Sequence, residues 1–346
     1  MINKFTLGNT FCIAGVITFL MLMTSCMNEG THKPDIADVR IEQPFLRFDK
    51  ELFSSSGSMS VAEIQNFRDR FGLFFDLFCS RVLRIPGSND TLIADYLSQF
   101  KNDPDVQMLY HLSDSVFGDA GEVIEQLNSS FRYYHYYFPE KTIPRIITYI
   151  SAFNYQVITA DSILGISLDM YLGGDKEEMY GSVGFPKYMF SRFSKPYVPV
   201  DCMKGWFQSE YDADSVKNEL LSQMIYHGKM MYFLDCVLPD YHDTLKIGYS
   251  KAQLDWCVKN ESNIWAHLIE QKLLFSANKQ EYFKYINDGP TTNGLPKESP
   301  AKIGVWIGWK IVKSCMNKNP EKKLPELLLE NDAQKILNES GYKPER

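Results

Sequence analysis

The spacing of apolar residues changes period twice along this chain, and that change limits the possible folds more than any motif does. Ile64, Phe67, Phe71, Phe74, Phe75, Phe78 and Val82 recur at helical spacing. Ser60 with Glu63 three residues on makes a capping box ahead of them. One long amphipathic helix is therefore expected, ending before Pro86–Gly87. Further helices are expected over residues 91–101, 104–117 and 120–137. The second of these has Asp103 as cap, Pro104 at its first position and Gly118 as its stop, and the third ends before Pro139.

At Arg145 the pattern turns strand-like. Residues 145–153, 155–159 and 163–170 are β-branched and aromatic, Ala160-Asp161-Ser162 suits a hairpin turn, and Gly173-Gly174-Asp175 closes the last run. Helical spacing then returns over residues 216–234, 251–259, 262–275, 280–287 and 300–316, the last with Ser299 as its cap and Pro300 at its first position. Ile303, Trp306, Ile307 and Lys310 fall on one face of that helix, and Trp309 follows three residues after Trp306, so both tryptophans are expected to pack. The reading is α+β, mainly helical, with one small antiparallel sheet near the middle.

The N-terminus points to an address. Phe11 to Met23 is an apolar run preceded by Lys4, too short to span a bilayer comfortably and arranged like a secretory signal. Leu22-Met23-Thr24-Ser25-Cys26 follows, with small residues just before a cysteine, as in the lipobox of bacterial lipoproteins, although Met23 replaces the usual leucine. Cys26 is the expected lipidation site. The expected organisation is a signal peptide over residues 1–25, a lipidated cysteine and tether over 26–40, and a single domain over 41–346. Met27 to Gly30 carries no acidic run, which favours a periplasm-facing position.

Charge and cysteine content narrow the function. With 36 Lys+Arg against 43 Asp+Glu the chain has a net charge of −7, and a phosphate-backbone partner would lack its usual electrostatic attraction, so no nucleic acid is expected. Removing the signal takes away only Lys4. The acidic body is repelled by anionic head groups, so membrane attachment would rest on the acyl chains. Of the seven cysteines, Cys79, Cys202, Cys236, Cys257 and Cys315 remain in the body with no zinc-type spacing, and they read as free buried thiols.

No established catalytic motif is present. The sequence contains no His-Glu-x-x-His, Gly-x-Ser-x-Gly, Gly-x-Gly-x-x-Gly or Walker loop, and no cofactor is expected. His227 shares a helical face with Met224, Met231 and Leu234, where a histidine is more often a satisfied core residue than a ligand. The dense run Phe131-Arg132-Tyr133-Tyr134-His135-Tyr136-Tyr137-Phe138 would point some rings outward and invites a glycan-binding reading, although core packing explains it equally well.

Several segments carry a family resemblance: Arg47-Phe48-Asp49, Tyr136-Tyr137-Phe138-Pro139, Tyr149 to Tyr155, Leu168 to Gly173, Ile225 to Lys229 with Tyr232 to Asp235, Trp256 with Asn260-Glu261 and Trp265, and Ser299-Pro300 through Gly304 and Gly308. Together they resemble the gliding motility-associated lipoprotein GldB family. The resemblance implies a lipid-anchored envelope protein of Bacteroidetes-type bacteria, working with protein partners of the motility machinery or its linked secretion system, without an established enzyme activity. It also implies an outline similar to zinc peptidases, with the metal-binding helix near Tyr226 to Met230. Those positions read Tyr226, His227, Gly228, Lys229 and Met230, so neither metal-binding histidine nor the general-base glutamate is in place. The expectation is a degenerate, zincin-like scaffold without metal, in which His227, Asp235 and Glu261 line a vestigial groove. The alternatives are a zinc-type peptidase or other hydrolase with an unusual site, and a glycan-binding lipoprotein.

Overall fold

The computed structural model describes residues 33–54 and 57–344. The expected signal peptide, Cys26 and most of the expected tether lie outside the described residues. From Asp35 onward the chain forms one compact unit, in which the Arg132 guanidinium donates to the carbonyls of Ile36 (2.5 Å) and Val39 (3.0 Å).

The sheet has four strands in the order β1-β2-β4-β3: β1 (Phe45–Arg47), β2 (Arg145–Tyr149), β3 (Val157–Ala160) and β4 (Ile163–Ser167). It is mixed, not antiparallel as expected. Strands β1 and β2 are parallel, with Phe45 opposite Ile146, and β2 and β4 are parallel, with Ile146 opposite Leu164. Only β3 runs antiparallel, joined to β4 by the expected hairpin, in which Ala160 faces Ile163 and Asp161 takes the left-handed conformation at φ 43°. The departure begins at the end of β2. Ala152 and Phe153 adopt left-handed φ values of 52° and 62°, and the buried Asp169 carboxylate accepts from the Ser151 (3.0 Å) and Phe153 (2.8 Å) backbone amides. This pinned turn ends the strand early and carries the chain past β4 to its far edge.

Both faces of the sheet are covered, and this explains why β4 is buried at every residue and β2 at all but Arg145. One face takes Ile147, Tyr149, Ile158 and Ile163 into a smaller core with α1 (Phe48–Leu52), α2 (Val61–Phe71), α3 (Leu73–Leu77) and α4 (Asp90–Asn102). Phe48 sits there among the rings of Phe67, Phe71, Phe74, Phe75 and Phe78, with centroids 4.8–6.4 Å away. The Ser60–Glu63 capping box starts α2 as expected. The single long helix is not formed, however. Gly72 breaks it at φ 56°, Arg145 Nη2 donates to the Phe71 carbonyl at 2.6 Å, and the chain resumes as α3 and a π-helical turn over Phe78–Val82. The break lets phenylalanines from both segments converge on Phe48.

The other face takes Ile146, Leu164 and Ile166 into the larger core. This side contains α5 (Pro104–Phe117) and α6 (Gly121–Tyr137), close to the spans expected, the short α7 (Glu177–Ser182), and α8 (Val198–Glu210), which lies against β3 and β4. The rest is helical: α9 (Leu220–Val237), α10 (Asp243–Ile247), α11 (Lys251–Lys259), α12 (Glu261–Glu270), α13 (Lys279–Ile286), α14 (Ile303–Lys318), α15 (Leu324–Leu329) and α16 (Ala333–Ser340). Helix α14 begins at Ile303, not at Pro300: Lys302 turns the chain into it at φ 59°, and the Ser299 hydroxyl bonds the Pro300 carbonyl instead of capping.

The helices α9 and α14 form the central pair of this core. Every residue from Ile303 to Trp309 is buried, as are most of α9, so neither helix has one apolar face; both are surrounded. A zincin-like scaffold would set the Tyr226–Met230 helix beside the sheet. Here α8 covers the sheet on this side, and α9 packs chiefly on α14. Among the described residues no helix is long and apolar enough to cross a membrane.

Candidate functional site

The three residues expected to share a groove stand in three separate surroundings. Asp235, near the end of α9, is 2% exposed and fully engaged: Lys246 Nζ reaches Oδ1 at 2.8 Å, while Trp309 Nε1 (2.7 Å) and Lys313 Nζ (3.1 Å) share Oδ2. It ties α9 to α10 and α14. Glu261, at the start of α12, accepts from the Tyr342 hydroxyl at 2.6 Å and holds the C-terminal segment. His227 is buried in a third environment, where Lys302 and Lys204 act on it in addition to burial.

One of the two cations that act on His227, Lys302, lines a charged cavity of about 210 Å³ whose walls also include Arg192, Tyr197, Gly248, Tyr249 and Asp288. Arg192 pairs with Asp288 at 2.6 Å, and Lys302 stands 3.7 Å from the same carboxylate while donating to the Ile247 carbonyl at 2.9 Å. A Cβ placed on Gly248 would lie 3.5 Å from Arg192 Nη1 and 3.7 Å from Lys302 Nζ, so the two cations converge on one bare stretch of backbone. Behind them on α8, Asp201 accepts from Gln156 Nε2 (2.9 Å) and the Tyr171 hydroxyl (3.2 Å), and Lys204 is coupled electrostatically to Asp201, Arg192, Asp288 and Lys302.

The titration behaviour follows from enclosure and from like charges. Burial, with Lys204 and Arg192 adding to it, pushes Lys302 down to about 7 against the pull of Asp288 and Asp201. Burial likewise lowers Lys204 and raises Asp201. At Asp288 burial acts upward, but Lys302 and Arg192 outweigh it and the carboxyl is lowered. His227 falls from 6.5 to about 4, through burial first and then through Lys302 and Lys204.

This depression has a pH consequence. Between about 6.5 and about 4 the unfolded chain protonates His227 while the folded chain keeps it neutral. Its neutral state therefore costs nothing above 6.5, and stability is lost as pH falls toward 4. His227→Gln is expected to flatten the stability–pH curve across that window in chemical denaturation series, and an unchanged slope would show that His227 does not carry it.

The same surroundings argue against a zinc site on this helix. A dication at His227 would face Lys204 and Lys302, and Gly228 beside it leaves no room for a side chain: an added Cβ would overlap the Gly308 backbone. Among the described residues no group of three or more His, Cys, Asp or Glu is placed to hold a metal. Cys79, Cys202, Cys236, Cys257 and Cys315 are buried and unpaired, and burial pushes their thiols up, Cys79 to about 12.

The aromatic run turns mostly inward. Phe131 and Tyr134 are 0% exposed and pack edge-on against Trp206, and the Tyr134 hydroxyl donates to Glu210 at 2.6 Å. Tyr136 is half exposed and meets Tyr137 edge-on. A stacking platform for sugars needs several free ring faces, and the core claims those of Phe131, Tyr133, Tyr134 and Phe138. A larger cavity of about 310 Å³ lies between α8, α9 and α15. Of the two lysines in its wall, Lys217 and Lys229, the second caps the end of α15 through the Leu328 (3.0 Å) and Glu330 (2.8 Å) carbonyls, which is a structural role.

Sequence reading missed the charged cavity. Its signal was present in the pair Asp201 and Lys204 amid Val200, Cys202, Met203, Trp206 and Phe207, where charges three apart sit inside an apolar stretch. The charged residues of the wall itself, Arg192 at the end of a 3-10 helix and Asp288 and Lys302 in loops, are brought together only by the fold.

The family model described as gliding motility protein GldB matches residues 29–344. No curated protein and no solved structure matches.

Proposed function

The chain belongs to the gliding motility protein GldB family, and on that premise we propose that it is a lipid-anchored cell-envelope protein serving gliding motility, or the secretion linked to it, by binding protein partners and not by catalysis. The observation that carries this reading is the family match, which spans nearly the whole chain. The signal-like run Phe11 to Met23 and the lipobox-like Leu22 to Cys26 support the anchor, and the absence of an acidic run after Cys26 supports a periplasm-facing position. The cationic surroundings of His227 weigh against the peptidase alternative, and the inward rings of residues 131–138 weigh against the glycan alternative.

A deletion strain tests the role. It should lose surface movement or change its envelope proteome, and the wild-type gene should restore both. Cys26→Ser should leave the chain unacylated, absent from the membrane fraction and unable to complement, as expected if stable attachment rests on the acyl chains. Unaltered movement together with an unaltered envelope proteome in the deletion strain would refute the role. Membrane retention of Cys26→Ser would refute the anchor.

A further inference from the structure

We propose that the cavity bounded by Arg192, Gly248, Asp288 and Lys302 is a binding site for a small oxyanion, a carboxylate, sulfate or phosphate group of one or two charges. The wall carries two cationic side chains, Arg192 and Lys302, against one carboxylate, Asp288, with Tyr188, Tyr197 and Tyr249 as its other titratable groups, and Lys204, Asp201 and His227 are coupled to these charges electrostatically. The protein as a whole is acidic, so this excess is a local construction. Asp288 is shared between Arg192 and Lys302, and Asp201 is already bonded by Gln156 and Tyr171. Asp201 is the acid that answers Lys204, so on the cavity wall a single carboxylate, Asp288, answers both Arg192 and Lys302. Holding cations together in an enclosed place is costly, and an anion in the cavity would relieve that cost.

The backbone adds to the site. Helix α14 starts immediately after Lys302 and has no side-chain cap on its first turn, so the positive end of a sixteen-residue helix lies at the cavity wall. The bare backbone at Gly248 lets the Arg192 and Lys302 side chains close on it, where an added Cβ would meet Arg192 Cδ at 3.0 Å. At about 210 Å³ the cavity is smaller than the roughly 300–1,000 Å³ usual for drug-sized ligands, which limits the occupant to a small anion or the charged end of a larger molecule.

Calorimetric titration of the purified full chain with sodium sulfate, at ionic strength held constant with chloride, tests this; sodium phosphate and acetate are titrated in parallel. Sulfate keeps its charge between about pH 6 and about pH 9, so any change in affinity over that range belongs to the protein. Saturable binding of sulfate, phosphate or acetate at one site per chain is expected, weakened about tenfold in Lys302→Gln and in Arg192→Gln, the usual effect of losing one charge-assisted hydrogen bond. Binding of sulfate should also weaken as pH rises through the Lys302 titration at about 7, with a smaller slope in Lys302→Gln. Arg192→Gln keeps the idea testable should Lys302→Gln fail to fold, because Lys302 also turns the chain into α14. No saturable binding of any of the three anions, or wild-type affinity in both variants, would overturn the proposal.

Discussion

Gly308→Ala is expected to destabilise the protein by more than about 4 kcal/mol, or to prevent its accumulation altogether. Helices ordinarily stand about 8–10 Å apart because side chains hold them off. Where α14 crosses α9, backbone meets backbone: a Cβ on Gly308 would overlap the Met224 carbonyl oxygen and come within 2.6 Å of its carbon, and a Cβ on Gly228 would overlap the Gly308 carbonyl and come within 2.9 Å of Trp309 N. Neither neighbour is the free end of a flexible side chain. To admit one methyl group the two central helices must separate, and the layers around α9 and α14 must shift with them. Gly181→Ala is the control. Its added Cβ would find Phe190 Cζ at 3.8 Å, an ordinary contact, and alanine is the better helix former, so that variant should stay within about 1 kcal/mol of wild type. Urea unfolding of the two variants separates the cases, and a Gly308→Ala protein of wild-type stability would refute the close crossing.

That crossing also shows where sequence reading stops. Helices whose ends carry their own signals were legible, as with Asp103, Pro104 and Gly118 around α5, because capping is local chemistry. So was the β3–β4 hairpin, whose turn is local too. What failed was decided at a distance. β1 is three residues long and forms only by pairing with a strand a hundred residues later. The break at Gly72 depends on Arg145, and α8 is interrupted on paper by Pro199 and Gly205, yet it folds as one helix against β3 and β4. Gly228, Gly304 and Gly308 were visible as part of a family pattern, but their meaning, two backbones in contact, lies in tertiary structure. The candidate site follows the same rule. His227 was found from its apolar face, whereas nothing local to Lys302 marks it, because its place before α14 is set by the left-handed turn into Ile303.

Asp235→Ala is expected to cost about 3–5 kcal/mol, because it strands a charge. Lys246 is 4% exposed, and its main partner is Asp235 Oδ1 at 2.8 Å; Asp243 stands farther off at 3.6 Å. Without Asp235 the Lys246 ammonium keeps only that weaker, half-exposed partner, and Trp309 Nε1 loses its acceptor in the core. Lys313 is the member that can adapt. Its side chain is 23% exposed, lies over the Trp309 ring at 4.2 Å and retains Asp243 at 3.8 Å, so Lys313→Met should cost far less. The loss should fall mainly on removal of one partner and much less on removal of both, since a buried ion pair replaced by apolar groups of similar size is often neutral. Asp235→Leu combined with Lys246→Met should therefore recover the part of that loss that comes from the stranded Lys246, leaving the cost of the unpaired Trp309 Nε1. Chemical denaturation followed by tryptophan fluorescence reads the cycle directly, because Trp309 is itself bonded to Asp235. If the double variant were as unstable as Asp235→Ala, the network would owe its stabilising effect to geometry that apolar side chains cannot reproduce, not to the balance of a buried charge. If Asp235→Ala were neutral, the join it makes between α9, α10 and α14 would not be one the fold depends on.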